Sequence, residues 1–271
     1  MNYLLIILFG FSPALVSANS ESNKFYFATS ADTEHYNWLC TQIQSIHQYD
    51  LDRLGAIAVF DLGLTPQERA HVESLSHVAV YDVEPVNPYL FTKFPTLSGG
   101  RYPKRGWFSW KPVAIKMALD LFPYVLYMDA GIKLNRSAAP LFAHIKEKGY
   151  FLIQSHWIYE MATQWVIKKF GLDTPEKQWI LSEIGISAGL QGLSRKVYDS
   201  YVYPMYTLAK DIRNFEDDGT CPRGFGFGRH DQALFSIMAK DLGFEILGGA
   251  SFKLSNNARI TLSDYISFKP E

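Results

Sequence analysis

The sequence has very little cysteine and almost no net charge. Only Cys40 and Cys221 are present in 271 residues, which excludes a disulfide framework, and the lack of a C-x-x-C motif argues against a structural zinc site. One bridge and two free thiols are both consistent with this count. A formal net charge of -1 gives no general attraction to nucleic acid or to an anionic membrane. Any anionic ligand must therefore be bound by a local cluster of basic residues.

Several catalytic signatures are also missing. There is no G-x-S-x-G motif of serine hydrolases, and the glycine-rich run at residues 224–228 has neither the dinucleotide-binding nor the P-loop spacing. Apart from His230, the histidines are scattered singly and offer no metal-binding motif. The adjacent acids Asp217 and Asp218 have the context of a solvated turn, which is poor evidence for the carboxylate pair of a glycoside hydrolase.

The longest apolar run opens the chain as M-N-Y-L-L-I-I-L-F-G-F-S-P-A-L-V-S-A-N-S. It is short for a membrane span, is interrupted by Pro13, and ends in small residues up to Ala18. We expect residues 1–18 to be a signal peptide, although no Lys or Arg precedes the run; an uncleaved anchor is the alternative. We then expect a single domain over residues 24–271, secreted or in the lumen of the secretory pathway, or in the periplasm of a bacterium.

Apolar patterning predicts an α/β fold with a mostly parallel central sheet and helices on both faces. The predicted strands are residues 24–28, 56–60, 78–81, 124–128, 151–154 and 186–193. The first helix should bury Leu39, Ile43 and Ile46, and a capping box starting at Thr65 should begin the second. Further helices are expected at residues 161–170 and 230–242. Residues 84–109 show little periodicity, which predicts a functional loop.

The most informative stretch runs from residue 109 to 134. A helical pattern with Pro112 at its first position ends before Pro123, and a short buried strand then ends at Asp129. Burying an unpaired carboxylate is costly, and open α/β sheets bind ligands at the carboxyl ends of their strands. We therefore expect Asp129 to face a crevice. A purely local role in a turn is the alternative, because Asp followed by Ala-Gly is favourable turn chemistry.

Six sequence elements resemble those of glycosyltransferases of the GT-A type, the nucleotide-diphospho-sugar transferase fold. They are F-Y-F-A-T-S, V-F-D-L-G-L-T, W-K-P-V-A-I-K, Y-V-L-Y-M-D-A-G-I, I-S-A-G-L-Q-G-L-S-R and R-H-D-Q-A-L-F, and they cover most of residues 24–242. A poorly characterised branch that contains an F/Y-D-L-G-L element is the most similar group. The resemblance implies a hexosyltransferase-like enzyme that moves a sugar from a nucleotide-diphosphate donor to a hydroxyl acceptor. A non-catalytic nucleotide-sugar or carbohydrate-binding protein on the same fold is the alternative.

The resemblance also implies a metal ion. In GT-A enzymes an Asp-x-Asp motif holds Mn²⁺ or Mg²⁺ against the donor diphosphate, whose charge the hard cation neutralises. Asp129 matches the first acid of that motif, but Gly131 stands at the position of the second. Asp129 is thus expected to bind the metal with waters, or to contact the donor sugar. The missing second acid is the feature that favours the binding-only alternative.

Basic and aromatic residues alternate just before the helix that contains Pro112. The basic ones are Arg101, Lys104, Arg105 and Lys111. Such a cluster in a neutral chain fits a pyrophosphate clamp, with Arg105 and Lys111 as first choices, and Trp107 or Trp110 is suited to stack on a sugar or a base. An ordinary basic loop that is docked by its aromatic side chains is the alternative.

Other candidates lie at the ends of predicted strands. Thr29 and Ser30 close the first strand and Asp61 closes the second, where GT-A proteins contact the nucleotide. Asp61 holding its own turn is an equally good interpretation. The small residues Ser187, Ala188 and Gly189 resemble the strand that lines the acceptor side in this fold, where absent side chains let a sugar approach; close strand packing is the alternative.

The last candidates come from the segment R-H-D-Q, which resembles the Asp-Gln pair of the family at a helix start. An alcohol is a poor nucleophile at neutral pH, so an inverting transferase needs a carboxylate that removes the proton of the acceptor. Asp231 is the candidate for this base, and Gln232 is expected on the substrate side. A local role is equally consistent, because Asp favours the first turn of a helix.

Overall fold

A computed structural model describes residues 23–94, 103–224 and 227–268. The expected signal peptide and Arg101 lie outside the described residues. Within those ranges, no helix combines the length and the apolar composition needed to cross a membrane. Cys40 and Cys221 are both free thiols, so the structure contains no bridge between them.

Strands and helices alternate in the first part of the chain, as the patterning predicts. The elements are β1 (Phe25–Ala31), α1 (Tyr36–Asp50), β2 (Leu54–Asp61), α2 (Pro66–Glu73) and β3 (Val78–Asp82). Leu39, Ile43 and Ile46 are buried on α1, and Thr65 and Glu68 form the predicted capping box. The strands and α1 were predictable from their apolar periodicity, and α2 from its capping box.

The predicted loop at residues 84–109 contains some regular structure. A short antiparallel pair, β4 (Lys93–Phe94) and β5 (Lys104–Arg105), precedes a 3-10 turn at Gly106–Phe108. Helix α3 (Trp110–Leu121) then starts two residues before the predicted position. Pro112 thus lies in its first turn, where the missing N–H is tolerated because these amides have no partner within the helix.

The second part of the chain completes the sheet. Its elements are β6 (Tyr124–Met128), β7 (Ile132–Leu134), α4 (Ala139–Lys148), β8 (Tyr150–Trp157), α5 (Ile158–Met161), α6 (Gln164–Lys169), β9 (Ile184–Ser194), α7 (Tyr203–Leu208), α8 (His230–Asp241), β10 (Ser251–Lys253), β11 (Arg259–Thr261), α9 (Leu262–Tyr265) and β12 (Ile266–Phe268). The helix predicted at 161–170 is two short helices. Thr163 separates them, because its side chain caps α6 by accepting the Val166 amide.

Six strands form the central sheet in the order β3-β2-β1-β6-β9-β8. Neighbours among the first four are parallel, and β9 is antiparallel to both β6 and β8. Five strands therefore share one direction and β9 alone is reversed. The predicted α/β architecture with a mostly parallel sheet is confirmed.

Apolar helices cover both faces of this sheet. Along β6, Val125 and Tyr127 pack in the layer that contains α3 and α8, whereas Leu126 and Met128 pack in the layer of α1 and α4. Side chains alternate along a strand, so the residue two positions after Tyr127 is directed to the same side as Tyr127. Asp129 is thereby placed beside α3 and α8, at the edge of the sheet where the parallel strands end.

Candidate active site

A cavity of about 680 Å³ opens at the carboxyl ends of β1 and β6. Its walls come from the ends of these strands, the segment before α3, and residues of β8 and β9. The sequence-predicted site residues that line it are Ser30, Arg105, Trp110, Asp129, Ser187, Gly189 and Gln232. Small-molecule sites of proteins generally enclose about 300–1,000 Å³, so this cavity has the size of a ligand-binding site.

A second cavity, of about 190 Å³, lies beside the first. Five residues line both cavities: Phe108, Asp129, Gly189, Arg229 and Gln232. Lys111, Ala188 and Asp231 line only the smaller one. Asp129 is therefore located where the two cavities meet.

Hydrogen bonds hold Asp129 from several sides. Its Oδ1 accepts the Tyr127 hydroxyl at 2.9 Å, and its Oδ2 lies 3.1 Å from Nζ of Lys111. Its amide donates to Gly189 O at 2.8 Å, and its carbonyl accepts from Nε2 of Gln42 on α1 at 2.8 Å. The side chain is 41% exposed. The carboxylate is thus fixed in position and still open to the cavities.

Lys111 lies between two carboxylates. Its ammonium is 3.1 Å from Asp129 Oδ2 and 3.0 Å from Asp231 Oδ2, and the Lys111 and Asp231 side chains are only 5% and 6% exposed. Burial lowers the pKa of Lys111, but the charges of Asp129 and Asp231 outweigh burial and raise that pKa above its usual value. Burial raises the pKa of Asp231, an effect that Lys111 only partly offsets. One ammonium thus bridges two carboxylates in a largely buried cluster.

Aromatic rings complete the surroundings of this ammonium. Nζ of Lys111 lies 5.6 Å from the ring centroids of Phe108 and Trp110 and 5.9 Å from that of Tyr127. At these distances the ring faces attract a cation. Two carboxylates and three rings therefore form a site for the Lys111 ammonium. We call Lys111, Asp129 and Asp231 the charge triad.

Arg105 lies at another wall of the larger cavity and is also paired. Its Nη2 is 3.0 Å from Asp32 Oδ2, and its Nη1 donates to Phe91 O at 3.0 Å. Burial raises the pKa of Asp32, but hydrogen bonds from His35 and Arg105 outweigh it and lower the pKa to about 2. Asp32 therefore stays ionised, and its ion pair with Arg105 joins the end of β1 to β5.

Asp32, Glu34 and His35 place potential metal ligands within 4.8 Å of one another. All three are occupied by protein partners. His35 Nδ1 lies 2.6 Å from Asp32 Oδ1, and Glu34 Oε1 lies 3.0 Å from Nζ of Lys93. Together with the Arg105 contact to Asp32, these pairs make the cluster an ion-pair network at the mouth of the cavity.

Arg229 is a site residue that sequence reasoning missed. It lines both cavities, its side chain is exposed, and it makes no ion pair with any residue in the described ranges. The available signal was its position, because it stands two residues before Asp231 at the start of α8. His230 follows it and is buried; its Nδ1 donates to Phe215 O at 2.7 Å and its Nε2 lies 3.0 Å from Nζ of Lys104.

Two of the predicted nucleotide contacts lie away from both cavities. Strand β1 extends to Ala31, so Thr29 is inside it, and alternation directs Ser30 into the larger cavity and Thr29 to the opposite face. Asp61 holds its own turn: its Oδ1 accepts the amides of Gly63 and Leu64 at 2.7 and 2.8 Å. The expectation that Thr29 and Asp61 contact the nucleoside does not match these positions.

The two candidate tryptophans, Trp107 and Trp110, have different surroundings. Trp107 is buried and stacks on Phe94 at 4.8 Å, which docks the segment to the core. Trp110 lines the larger cavity, and its buried Nε1 has no hydrogen-bond partner among the described residues. Of the two tryptophans, Trp110 is the one placed to contact a ligand.

Solved structures of glycosyltransferases resemble this architecture. Core-mannan synthase A of Aspergillus fumigatus, in a Mn/GDP form, matches with a TM-score of 0.57 at 10% identity, over 91% of this chain and 75% of that chain. The chain has the GT-A fold. The mannosyltransferase Ktr4p of S. cerevisiae in complex with GDP matches with a TM-score of 0.49 at 11% identity, over 85% of this chain and 70% of that one. Mouse xyloside xylosyltransferase 1 gives a TM-score of 0.47 at 12% identity, over 83% and 84%.

No family model and no curated protein matches the sequence. The GT-A fold therefore rests on the structure, and it agrees with the resemblance found in the six sequence elements. In this GT-A fold Lys111 of α3 and Asp231 of α8 come from helices in one layer beside the sheet, and Asp129 follows the end of β6.

Proposed function

We propose that the protein is a glycosyltransferase that moves a sugar from a nucleotide-diphosphate donor to a hydroxyl acceptor. The observation that carries this proposal is the meeting of two cavities at Asp129, at the carboxyl ends of β1 and β6 of a GT-A fold. A transferase has to hold two substrates with their reacting atoms adjacent, and a large and a small cavity that share five lining residues meet that need.

The larger cavity suits the donor. Ser30 offers a hydroxyl to the nucleoside, and the Trp110 indole supplies an apolar face and an unpaired N–H donor. Arg105 and Lys111 were the expected diphosphate clamp, but each is paired with a carboxylate. Arg229 is exposed in both cavities without an ion pair to the described residues, so we assign the main diphosphate contact to it.

The smaller cavity suits the acceptor hydroxyl, because Asp231 and Ala188 line it beside Asp129 and Gly189. As that hydroxyl attacks the anomeric carbon, a new C–O bond forms and its proton passes to Asp231. The bond from the anomeric carbon to the diphosphate breaks, and the nucleoside diphosphate leaves with the electron pair. A raised pKa makes Asp231 a stronger base than an ordinary aspartate. Ser187 and Gln232 are placed to hydrogen-bond sugar hydroxyls.

The positive charges nearby support departure of the diphosphate. Lys111 and Arg229 both line the smaller cavity, and groups fixed before the reaction stabilise developing charge without reorganisation. Asp129 keeps the Lys111 ammonium in place and is itself exposed to the donor sugar. Each member of the charge triad thus has a role in the proposed reaction.

Binding of nucleoside diphosphates tests whether the protein has the proposed donor site. Thermal unfolding of the protein with UDP, GDP and ADP should show a raised Tm for at least one of them, because a ligand of the native state stabilises it. Nucleotide sugars that carry that base are then assayed for release of the diphosphate. Stabilisation without release would favour the binding-only alternative, and no stabilisation by any nucleotide would contradict both.

A further inference from the structure

We propose that the donor site works without a divalent metal ion, because the ammonium group of Lys111 is paired with the Asp129 carboxylate and repels an ion that would bind there. This inference rests on the proposed function of the same site. It departs from the Mn²⁺ or Mg²⁺ that the resemblance implies for Asp129.

Asp129 has no carboxylate oxygen without a partner. Oδ1 accepts the Tyr127 hydroxyl at 2.9 Å, and Oδ2 lies 3.1 Å from the Lys111 ammonium. A divalent ion bound to Oδ2 at about 2.1 Å would lie on the order of 4 Å from that ammonium. Two cations at this separation in a partly buried site repel each other strongly. The Lys111 ammonium therefore disfavours a divalent ion on the Asp129 carboxylate.

The motif also lacks its second carboxylate. Gly131 supplies no side-chain oxygen at the second position, and Asp231 already pairs with Lys111 at 3.0 Å. Packing does not force this absence of an acid, because a Cβ added at Gly131 would make only an ordinary contact of 3.6 Å with Trp38. Mg²⁺ is usually held by one or two carboxylates together with substrate phosphates and waters. Here the one carboxylate that would anchor such an ion already pairs with the Lys111 ammonium.

The surroundings of Lys111 are those of an ammonium site. Phe108, Trp110 and Tyr127 place ring centroids 5.6, 5.6 and 5.9 Å from its Nζ. Aromatic faces attract an ammonium, whereas they provide no oxygen ligand to a divalent ion. Lys111 is itself buried and comes from the first turn of α3. The fold therefore holds this positive charge in place where the leaving diphosphate would gain negative charge.

Two titrations of the wild-type protein test the inference. In the first, the affinity for UDP, GDP and ADP is measured by calorimetry in EDTA and again in MnCl₂. We expect the Kd of the nucleotide that binds to differ by less than about threefold between the two buffers. In the second, MnCl₂ alone is titrated into the free protein, and we expect no bound ion. Both use the full protein and neither depends on turnover.

Failure of the inference and failure of the proposed function give different results. Nucleotide affinity that rises by more than about threefold with Mn²⁺ would overturn the inference and leave the transferase proposal standing. If UDP, GDP and ADP all fail to bind in either buffer, the proposed function fails. The Mn²⁺ titration then still decides the inference, which is overturned by bound Mn²⁺ that disappears in Asp129→Asn.

Removing the ammonium gives an independent test. In Lys111→Met, the two carboxylates that contacted the ammonium lose their shared cation, and neighbouring carboxylates attract a divalent ion. We expect MnCl₂ to raise the Tm of this variant by several degrees and to leave the wild type unchanged. Lys104→Met is the matched control, because Lys104 lines the same cavity but contacts His230. A Mn²⁺ shift in the wild type, or none in a folded Lys111→Met, counts against the inference.

Discussion

Gly189 leaves empty the space that the carboxylate of Asp129 needs. A Cβ added at position 189 would lie 2.5 Å from Asp129 Oδ2, and Gly189 O accepts the Asp129 amide at 2.8 Å. Strand β9 therefore fixes both the backbone and the side-chain position of Asp129. Gly189, which the resemblance assigns to the acceptor side, is thus needed to leave room for Asp129 of the charge triad.

Gly189→Ala should therefore displace the Asp129 carboxylate and weaken its contact with Lys111. We expect release of nucleoside diphosphate from the donor to fall by about 10- to 100-fold, since a small misplacement of a reacting group has an effect of that size. Gly131→Ala is the control, because its Cβ would meet Trp38 at an ordinary 3.6 Å. Equal rates for Gly189→Ala and the wild type would contradict the assigned position of Asp129.

Arg229 should dominate the affinity for the diphosphate. Replacing it by Gln removes a charge-assisted contact, and we expect the Kd for the nucleoside diphosphate to increase by about tenfold in calorimetry. Arg223→Gln removes another exposed charge, one that pairs with Glu160 at 2.8 Å and lines neither cavity. If both substitutions weaken binding alike, the effect is one of overall charge and Arg229 is not a specific contact.

Asp32 should make the protein acid-sensitive in a defined range. Burial raises its pKa, but His35 and Arg105 outweigh burial and hold the pKa at about 2, below the usual value near 3.9. The unfolded chain thus binds the proton more readily, so this stability is present above about pH 4 and is lost as the pH falls towards 2. The loss should amount to about 2 kcal/mol in the free energy of unfolding.

Urea denaturation of the wild type and Asp32→Asn across this range measures that loss. The difference in stability between the two proteins should shrink as the pH falls, because Asn has no proton to gain. A difference that stays constant from about pH 5 to about pH 3 would show that Asp32 titrates normally.

His230 should remain neutral throughout the physiological range. Burial, followed by the charge of Lys104, lowers its pKa to about 3. Its Nδ1 then carries the proton donated to Phe215 O, and Nε2 accepts from Lys104. Nitrogen-15 NMR of labelled protein should show the Nδ1–H tautomer from about pH 7 down to about pH 4.

The lowered pKa of His230 also makes the stability of the folded protein depend on pH. The unfolded chain takes up a proton below about pH 6.5, so the stability from neutral His230 is complete above that value and declines as the pH falls towards 3. A His230 resonance that titrates near pH 6.5 in the folded protein would contradict this environment.

Local signals predicted much of the fold. The capping box at Thr65 and the buried strand that ends before Asp129 were recognisable because each depends on neighbours a few residues apart. The reversal of β9 was not predictable in this way, since apolar alternation specifies a strand but carries no direction. Thr29 and Ser30 are adjacent, and without the register of β1 the sequence did not distinguish the one that reaches the cavity.

The ion pairs of the site could not be predicted from the residues next to them in the sequence. Lys111 contacts Asp231 on a helix 120 positions further along the chain, and Arg105 contacts Asp32 on β1. The sequence indicated that cations and acids were available near the site, but their partners depend on tertiary packing between distant segments. The expected diphosphate clamp was consequently assigned to Arg105 and Lys111, whereas the exposed cation is Arg229.

The central claim is that Asp231 removes the proton of an acceptor hydroxyl at a site where a nucleotide sugar is cleaved. The most direct measurement compares diphosphate release from UDP- and GDP-sugars by the wild type and Asp231→Asn, which retains the shape of the side chain and leaves Lys111 paired with Asp129. We predict turnover by the wild type and a rate lower by about 100-fold or more in the variant, with diphosphate affinity within about threefold of the wild type. Turnover by the variant at the wild-type rate, or no release from any donor by the wild type, would contradict the account.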